Sequence, residues 1–459
     1  MRRPGRVRPS LRRRRGPDPA HPRHPDPQSR GVQLSDLDAL TGRVHARLDR
    51  SLEAQADRPV TLALSGGGDS LALLAMTSDW ARRRGRALLA LTVDHGLNSD
   101  SRDWTRRAGD QARALGADWR GLAWTGPKPT TGLPAAARQA RHSLIADAAR
   151  EAGACVILFA HTADDVAEND WMRRSGTPIG RLHAASPSPA WPEGRDLVLL
   201  RPLIEERRDD LRAWLRSRGV DWIEDPANVD LRYARSRARM ALAGAPPSAP
   251  APAPASALAS RLDPEPMAAC GVIVLPRSAP PQALAAAICC SSGGSTPPRG
   301  RALARAGARL AEQRDAVFVV GGARVEAGPE RLLVLRQMRG RDERALQPCR
   351  LGEITVWDGR FEVSEAPPSA QIAPALGRMA GLTAGDRAWL SSLPPAARAA
   401  FPIILRPERR PELAFRAARL TPLVPARFEL WSRLASGETP QESQLAQAMH
   451  GATPWNHLF

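Results

Sequence analysis

Short apolar segments alternate with amphipathic segments along the first half of the chain, and this alternation predicts the fold class. Apolar runs at residues 60–65, 87–93, 155–160 and, more weakly, 197–200 predict buried strands. Residues 69–84, 101–115 and 205–218, and the segment that starts at Pro134, are typical of helices. Strands that alternate with helices indicate a parallel sheet covered on both faces. We therefore predict an α/β domain that binds ligands at the carboxyl ends of its strands.

Shifts in composition divide the chain into four parts. Residues 1–32 are rich in arginine and proline and predict a disordered basic extension. It is either a passive tail, which includes the case of an unused upstream start codon, or a flexible arm that raises RNA affinity. Residues 33–242 form the predicted α/β domain, and the Pro/Ala-rich residues 243–266 predict a linker. Residues 267–459 predict a smaller α+β region.

The signals in this last region are weaker than those in the α/β domain. Residues 299–314 predict a helix, and residues 316–320 and 332–335 predict a pair of strands around glycines. Residues 354–363 predict a hairpin that turns at Asp358 and Gly359. Trp357, Trp431 and Trp455 could stack on bases, but burial in a core or interface is the more common place for tryptophan.

Charge and cysteine content narrow the function. The net charge of +18 favours an anionic partner such as nucleic acid. Lys128 is the single lysine, which excludes chemistry that needs a catalytic lysine elsewhere. No C-x-x-C pair occurs among the five cysteines, so neither a disulfide framework nor a zinc or iron–sulfur site is expected. Without a long apolar run or a secretory signal, we expect no membrane partner and a cytoplasmic location.

A glycine-rich loop between the first predicted strand and helix carries the strongest chemical signal. Its residues are Ser65, Gly66, Gly67, Gly68, Asp69 and Ser70. The glycines allow backbone N–H groups to approach an anion, and the helix that follows presents its positive end to the same place. The loop therefore predicts a phosphate cradle. Because a carboxylate repels phosphate, we expect Asp69 to hold Mg²⁺ beside the phosphates.

Three further segments place polar residues where their chemistry could meet the loop. Val93, Asp94 and His95 end the second predicted strand. The segment 160–168 follows the third strand and places Asp165 and Glu168 on one helix face, where they suit Mg²⁺ or the deprotonation of an amine. The helix segment 137–142 carries Arg138 and Arg141. Taken alone, the first segment is better explained as a capped loop and the second as a solvated acidic helix start, whereas the third fits a solvated helix face equally well.

The loop at 65–70 resembles the PP-loop of ATP pyrophosphatases, and the other segments resemble the lysidine synthetases within that superfamily. The resemblance covers residues 58–240 and includes Arg201-Pro202-Leu203 and the 224–228 segment followed by Arg235 and Arg239. Thr162, Asn169, His142, Ser236 and the 173–176 segment depart from the family pattern. The resemblance implies a PP-loop sheet, of the adenine nucleotide alpha hydrolase type, that binds ATP and Mg²⁺.

The same resemblance implies a ligase reaction on the wobble cytidine of tRNA(Ile) with a CAU anticodon. ATP adenylates the ring carbonyl and releases pyrophosphate; the ε-amine of free L-lysine then attacks and AMP leaves. It implies that Val93–His95 line the adenine pocket and that Arg138 or Arg141 contacts phosphate. It further implies that Arg201, Arg235 and Arg239 meet RNA, that the region 267–459 binds tRNA, and that Asp69, Asp165 and Glu168 are catalytic. A tRNA thiolase and a non-catalytic RNA-binding protein of the same fold are the alternatives.

Overall fold

The computed structural model describes residues 34–177, 179–224, 230, 232, 234–243, 267, 270–339, 346–435, 438 and 441–451. The N-terminal extension, most of the Pro/Ala-rich stretch, Asp225–Asn228 and Trp455 lie outside this part of the chain. The N-terminal elements are α1 (Leu34–Ser51), β1 (Val60–Ala63), α2 (Gly68–Arg84), β2 (Leu88–Asp94), α3 (Ser101–Ala114), β3 (Asp118–Ala123), α4 (Leu133–Glu151), β4 (Val156–Leu158), α5 (Ala163–Arg174), β5 (Ala185–Pro187), β6 (Val198–Leu200), α6 (Arg208–Ser217) and α7 (Ala234–Ala241).

Six strands form the central sheet, in the order β3-β2-β1-β4-β6-β5. All neighbours pair in parallel except β5, which runs antiparallel at one edge. The predicted α/β fold is therefore confirmed. Sequence analysis missed β3, because its residues DWRGLA show little apolar character and lie mostly exposed at the other edge of the sheet. Trp119 of this strand packs over Gly109 of α3, where an added Cβ would lie 2.8 Å from the ring.

Alternate side chains of the strands pack into two hydrophobic cores, one on each face of the sheet. Leu62 and Leu158 point into a core formed with α1, α2 and α6, whereas Ile157 points into a second core formed with α4. Burial on both faces explains why these strands are continuous apolar runs rather than alternating ones. The arrangement leaves the carboxyl edge of the parallel strands for loops, and it is there that the predicted site residues lie.

The C-terminal region contains three small antiparallel sheets with helices between them. Its elements are β7 (Ile273–Pro276), α8 (Pro281–Ser291), α9 (Gly300–Glu312), β8 (Ala316–Val320), β9 (Ala323–Ala327), β10 (Arg331–Arg336), β11 (Gln347–Pro348), β12 (Thr355–Trp357), β13 (Phe361–Ser364), β14 (Gln371–Pro374), α10 (Ala384–Ser391), α11 (Pro395–Ala399), β15 (Pro402–Leu405), β16 (Glu412–Leu413), α12 (Ala414–Ala417), β17 (Arg419–Pro422), α13 (Val424–Ala435) and α14 (Glu442–Gly451), with a 3₁₀ turn at Met379–Gly381.

The structure corrects one prediction in this region and confirms another. Strands β8 and β10 are not paired with each other, because β9 lies between them and pairs with both. Its alternating buried Ala323, Val325 and Ala327 were too small a signal to be recognised. The predicted hairpin is present as β12 and β13, with Asp358 and Gly359 at φ 50° and 62° in the turn. Trp357 is buried, as expected for a core tryptophan.

The last two helices return to the α/β domain. Leu445 of α14 belongs to the core beneath β1 and β4, and Leu430 and Leu434 of α13 pack against the same core. Glu442, at the start of α14, is 1% exposed and pairs with Arg86, whose side chain is 0% exposed. These contacts attach α14 to the α/β domain at the end of the sheet opposite the glycine-rich loop. In the part of the chain that the structure describes, no helix has the length and apolarity to cross a membrane.

Candidate active site

The glycine-rich loop joins β1 to α2 in a shape that only glycine accommodates at its centre. Gly66 has φ +82°, and a Cβ there would lie 2.7 Å from Ile223 Cδ1. A Cβ on Gly68 would touch the Trp222 ring at 3.5 Å, so the 222–224 segment backs the loop closely. Gly67 caps α2 without any side-chain hydrogen bond to the first turn. The first N–H groups of α2 are therefore left for an incoming anion.

The two serines of the loop differ in their environment. Ser70 is buried, and its hydroxyl donates to Gly67 O at 2.9 Å while it accepts from the Ser65 backbone N–H at 3.2 Å. These two hydrogen bonds of Ser70 stabilise the loop conformation. Ser65 is exposed, and its Oγ lies 3.0 Å from Ser70 Oγ. Of the two hydroxyls, that of Ser65 is the better placed to meet a ligand.

Helix α5 carries the acidic pair at the carboxyl end of β4. Thr162 caps the helix by accepting from Asp165 N, and Asp165 Oδ2 accepts in return from Thr162 N and Oγ1 at 2.9 Å each. Thr162, which departs from the family pattern, therefore has a structural role as the reciprocal cap of α5. Glu168, one turn on, is 2% exposed, and its Oε2 has no hydrogen-bond partner among the described residues. The two acids face the same space, as predicted.

The guanidinium of Arg208 joins the acids of α5 to the loop. Its Nε donates to Asp69 Oδ2 at 3.0 Å, its Nη1 donates to Glu168 Oε1 at 3.0 Å, and its Nη2 lies 3.5 Å from Asp165 Oδ2. Two cations from α7 complete the cluster. Arg239 Nε donates to Glu168 Oε1 at 2.9 Å, and Arg235 lies 3.6 Å from both Asp165 and Glu168.

These contacts shift the pKa values of the cluster in different directions. Burial would raise the pKa of Asp165, but Arg235, Arg208 and His161 outweigh it and lower that pKa to about 2. Burial raises the pKa of Asp69, and the nearby Asp165 adds to this against the pull of Arg208. The three carboxylates raise the pKa of Arg208 despite its burial. Asp165 is therefore a fixed anion and a weak base.

A second wall of the site is cationic. Arg141 Nε is buried without a hydrogen-bond partner among the described residues, and burial together with Arg138 and Arg235 lowers the pKa of Arg141 to about 10. The pKa of Arg138, which lies beside it, is lowered first by partial desolvation of the guanidinium and then by the charge of Arg235. These two arginines lie on one helix turn, repel each other and make no ion pair with any residue that the structure describes, so they form a site suited to an anion.

The end of β2 provides an aromatic corner next to this wall. His95 lies edge-on to Trp124 with ring centroids 6.1 Å apart, and Lys128 Nζ sits 3.9 Å above the Trp124 ring. Burial, followed by Arg141, lowers the pKa of His95, so the imidazole is neutral. Asp94 holds the turn by accepting from Gly96 N at 2.8 Å. Val93, Asp94 and His95 are all half-buried, which leaves part of each accessible to a ligand.

Arg201 lies inside the domain and is bonded on several sides. Its Nε donates to His161 Nδ1 at 3.2 Å, and its Nη1 donates to His183 O and Ser186 Oγ. Since a guanidinium is always a donor, Nδ1 of His161 must carry a lone pair and Nε2 the proton. The pKa of His161 is lowered to about 3, first by burial and then by Arg201. These bonds give Arg201 a structural role in orienting His161.

His142, where the family pattern has tyrosine, stacks on Phe159 with centroids 5.2 Å apart. It is 4% exposed, and burial followed by the charges of Arg141 and Arg138 lowers its pKa to about 2. The folded chain thus keeps His142 neutral, whereas the unfolded chain protonates it below pH 6.5. The unfolded state then binds more protons, so stability falls as the pH drops from about 6.5 towards 2.

We expect a His142→Phe variant to keep the ring stack and to lose this pH dependence. The free energy of unfolding of the wild type should fall by about 1.4 kcal/mol more per pH unit than that of the variant, once the pH is well below 6.5. Urea unfolding at several pH values between pH 5 and 7 measures the two slopes. Equal slopes would show that His142 is protonated in the folded chain.

The structure brings together residues that the sequence had placed far apart. Asp69, Asp165 and Glu168 meet through Arg208, and the arginines of α4 and α7 lie on the facing side. Sequence analysis missed Arg208, because Arg207 precedes it and nothing in the local pattern distinguishes the two. Sequence analysis also did not identify Arg201 as the hydrogen-bond donor to His161. Glu224 lies in the segment behind the loop, whereas the rest of the 224–228 motif falls outside the described residues.

The cysteines give no support to thiol chemistry. All five are buried, and burial raises the pKa of Cys155, Cys270 and Cys290 to about 12. A buried neutral thiol is a poor nucleophile. Within the described ranges, no three His, Cys, Asp or Glu side chains are arranged to hold a metal ion.

Comparison with known proteins assigns the site to a class. A family model described as a PP-loop domain matches residues 40–245, which span the loop, the acidic helix and α7. The α/β domain is therefore a PP-loop domain of an ATP-binding family.

Relatives identify the family within this class. The tRNA(Ile)-lysidine synthase of Caulobacter vibrioides is 44% identical over 369 residues, which cover 79% of this chain and 88% of that protein. The tRNA(Ile)-lysidine synthase of Ruegeria pomeroyi is 32% identical over 68% of this chain and 78% of its own length. That of Hyphomonas neptunium is 39% identical over 46% of this chain and 56% of its own length. The chain belongs to the tRNA(Ile)-lysidine synthase family.

Proposed function

We propose that this ligase adenylates the wobble cytidine of a tRNA(Ile) with a CAU anticodon and joins free L-lysine to it. In the first step the ring oxygen at position 2 attacks the α-phosphate of ATP and pyrophosphate leaves. In the second step the lysine ε-amine attacks the activated ring carbon and the C–O bond to AMP breaks. One observation carries the proposal: a phosphate loop, a cationic wall and a carboxylate cluster meet at one edge of the sheet.

The phosphate loop and the cationic wall suit the first step. The free N–H groups at the start of α2 would hold phosphate oxygens, with the Ser65 hydroxyl beside them. Arg141 and Arg138 would neutralise charge that develops on pyrophosphate as it leaves. Val93–His95, close to Trp124, would receive the adenine ring.

Asp69 is the residue that fits Mg²⁺. Its Oδ2 is held by Arg208, whereas its Oδ1 accepts no hydrogen bond from a described residue. One free carboxylate oxygen beside a phosphate site suits Mg²⁺, which is commonly bound by one or two carboxylates together with substrate phosphates. When bound, the ion would draw charge from the phosphate oxygens. Asp165 is the weaker candidate, because the cap of α5 and Arg208 already use its Oδ2.

The carboxylate cluster suits the second step. An ε-ammonium group must lose a proton before it can attack, and a positioned carboxylate can accept that proton. Asp165 is a weak base because its pKa is lowered, and its Oδ2 already accepts from the Thr162 cap, so it would attract the ammonium without accepting its proton. Glu168 has a buried oxygen without a hydrogen-bond donor among the described residues. We assign the role of base to Glu168.

The surface charge suits a tRNA partner. Arg301 and Arg305 lie one turn apart on α9, are exposed, and make no ion pair with any residue that the structure describes. Arg235 and Arg239, with 38% and 36% of their side chains exposed, border the carboxylate cluster. Phosphate contacts from such residues position a nucleic acid without reading its sequence. We propose that the C-terminal region and α7 hold the tRNA from two sides.

A labelled-lysine transfer assay tests the proposal. The full chain, ATP and Mg²⁺ are supplied with a transcript of tRNA(Ile) carrying CAU, and with a matched transcript in which the wobble cytidine is replaced by uridine. We expect ATP-dependent label in the first tRNA only. ATP cleavage without lysine transfer would point to another modification, such as thiolation. Binding of tRNA without ATP cleavage would favour a non-catalytic RNA-binding protein.

A further inference from the structure

Arg208 occupies a place between the two halves of the site. It is the first residue of α6, and its backbone N–H donates to Asp164 Oδ2 at 2.8 Å, so the helix start is fixed to α5. A second bond, from Ala163 N to Glu206 O at 2.9 Å, fixes the same junction. The side chain therefore begins from a fixed point, and only 12% of it is exposed.

Each of the three guanidinium nitrogens of Arg208 faces a different carboxylate. Asp69 belongs to the phosphate loop, whereas Asp165 and Glu168 belong to α5, and no other described cation contacts all three. Of these three acids, Arg235 contacts Asp165 and Glu168 and Arg239 contacts Glu168, and both arginines are about three times as exposed as Arg208. Three clustered carboxylates repel one another when ionised. A planar fork between them both offsets this repulsion and fixes their directions.

We propose that Arg208 is a positioning residue: its guanidinium holds Asp69, at the phosphate end, and Glu168, at the amine end, in one fixed relation. This inference rests on the proposed function. The phosphate end acts on the α-phosphate and the amine end acts on the lysine nucleophile, and both must meet at one ring carbon. A misplacement of about 1 Å can cost about 10²-fold in rate. Arg208 would therefore be needed for full activity although it touches no reacting atom.

The experiment compares Arg208→Ala with the wild type in the lysine-transfer assay, with and without added guanidinium chloride. We expect kcat to fall by about 10²-fold. The KM for ATP should stay near its wild-type value, because the loop N–H groups are unchanged. Guanidinium, well below denaturing concentrations and at ionic strength matched with NaCl, should restore part of kcat by filling the vacated space between the carboxylates. Arg216→Ala, an exposed change on the same helix, is the control and should transfer lysine at the wild-type rate.

Several results would overturn the inference. A wild-type kcat in Arg208→Ala would show that Arg208 is not needed to position Asp69 and Glu168. A folded but slow variant that guanidinium does not improve would make Arg208 a part of the scaffold only. If Arg208→Ala does not fold, Arg208→Lys decides: full activity overturns the inference, because one ammonium cannot reproduce the three-way fork, and a folded, slow variant with unchanged KM for ATP supports it. Failure of the wild type to transfer lysine would instead reject the proposed function.

Discussion

Replacing Glu168 by glutamine is expected to lower the rate of lysine transfer by about 10²–10⁴-fold, the usual contribution of a general base. Glutamine keeps the size of the side chain and an oxygen for Arg208 and Arg239, but it cannot accept a proton from the ammonium. The adenylation step should persist, because the phosphate loop and the cationic wall are unchanged. Single-turnover release of pyrophosphate and transfer of labelled lysine, measured on the same sample, separate the two steps.

The matched control for this variant is Asp170→Asn. Asp170 lies on the same helix two residues further on and pairs with Arg173 at 3.2 Å near the surface. Because partly exposed pairs contribute little, we expect near wild-type stability and transfer. Wild-type lysine transfer by Glu168→Gln would mean that the proton goes to another acceptor. Loss of both steps together would mean that Glu168 serves the arrangement of the whole cluster.

Replacing Glu442 by glutamine is expected to destabilise the folded chain by about 3–5 kcal/mol, the usual cost of removing one partner of a buried ion pair. Glu442 Oε1 and Oε2 receive both terminal nitrogens of Arg86 at 2.9 and 3.0 Å, and Oε2 also accepts from Glu53 N at 2.9 Å. Arg58 Nε adds a bond at 3.2 Å. Without the carboxylate, the charge of Arg86 would be buried and unpaired.

Urea unfolding and limited proteolysis would measure this effect. Because Glu442 joins α14 to the underside of the sheet, we expect α14 to be cleaved before the α/β domain unfolds. Glu353→Gln removes an exposed pair with Arg350 at 3.6 Å and should change stability by less than about 1 kcal/mol. An Arg86→Met, Glu442→Leu double variant should recover much of the loss, since well-packed apolar groups can replace a buried pair. A stable Glu442→Gln variant would show that α14 is not anchored by charge.

The fold of the α/β domain could be predicted because its signals are local. A run such as 155–160 is apolar throughout and too short for a typical helix, which indicates a strand buried on both faces. Two strands have weak apolar character for different reasons. β3 lies at an edge of the sheet, where few of its side chains are buried, whereas β9 buries two small alanines and one valine between charged residues. Their assignment depends on the backbone pairing of β3 with β2 and of β9 with β8 and β10, which only the folded chain shows.

The candidate site could be predicted only as separate parts. The glycines at 66–68, the acids at 165 and 168 and the arginines at 138 and 141 have spacings with a chemical reason, and their positions after strands place them at one edge. The protonation states of these side chains, and the different roles of Asp165 and Glu168, could not be predicted from the sequence. Asp165 and Glu168 are alike in sequence, yet the cap formed by Thr162 and the charges of Arg235 and Arg208 lower the pKa of Asp165.

The sequence by itself determined the parallel sheet, the glycine-rich loop between β1 and α2 and the resemblance to lysidine synthetases, since each depends on patterns within short segments of the chain. Only the tertiary structure decided that Arg208 joins three carboxylates and that Glu442 anchors the C-terminal helix to Arg86. Those contacts join residues that lie 40 to 356 positions apart. Their strength comes from burial, which removes the water that would otherwise screen the charges, and burial is a property of the assembled fold.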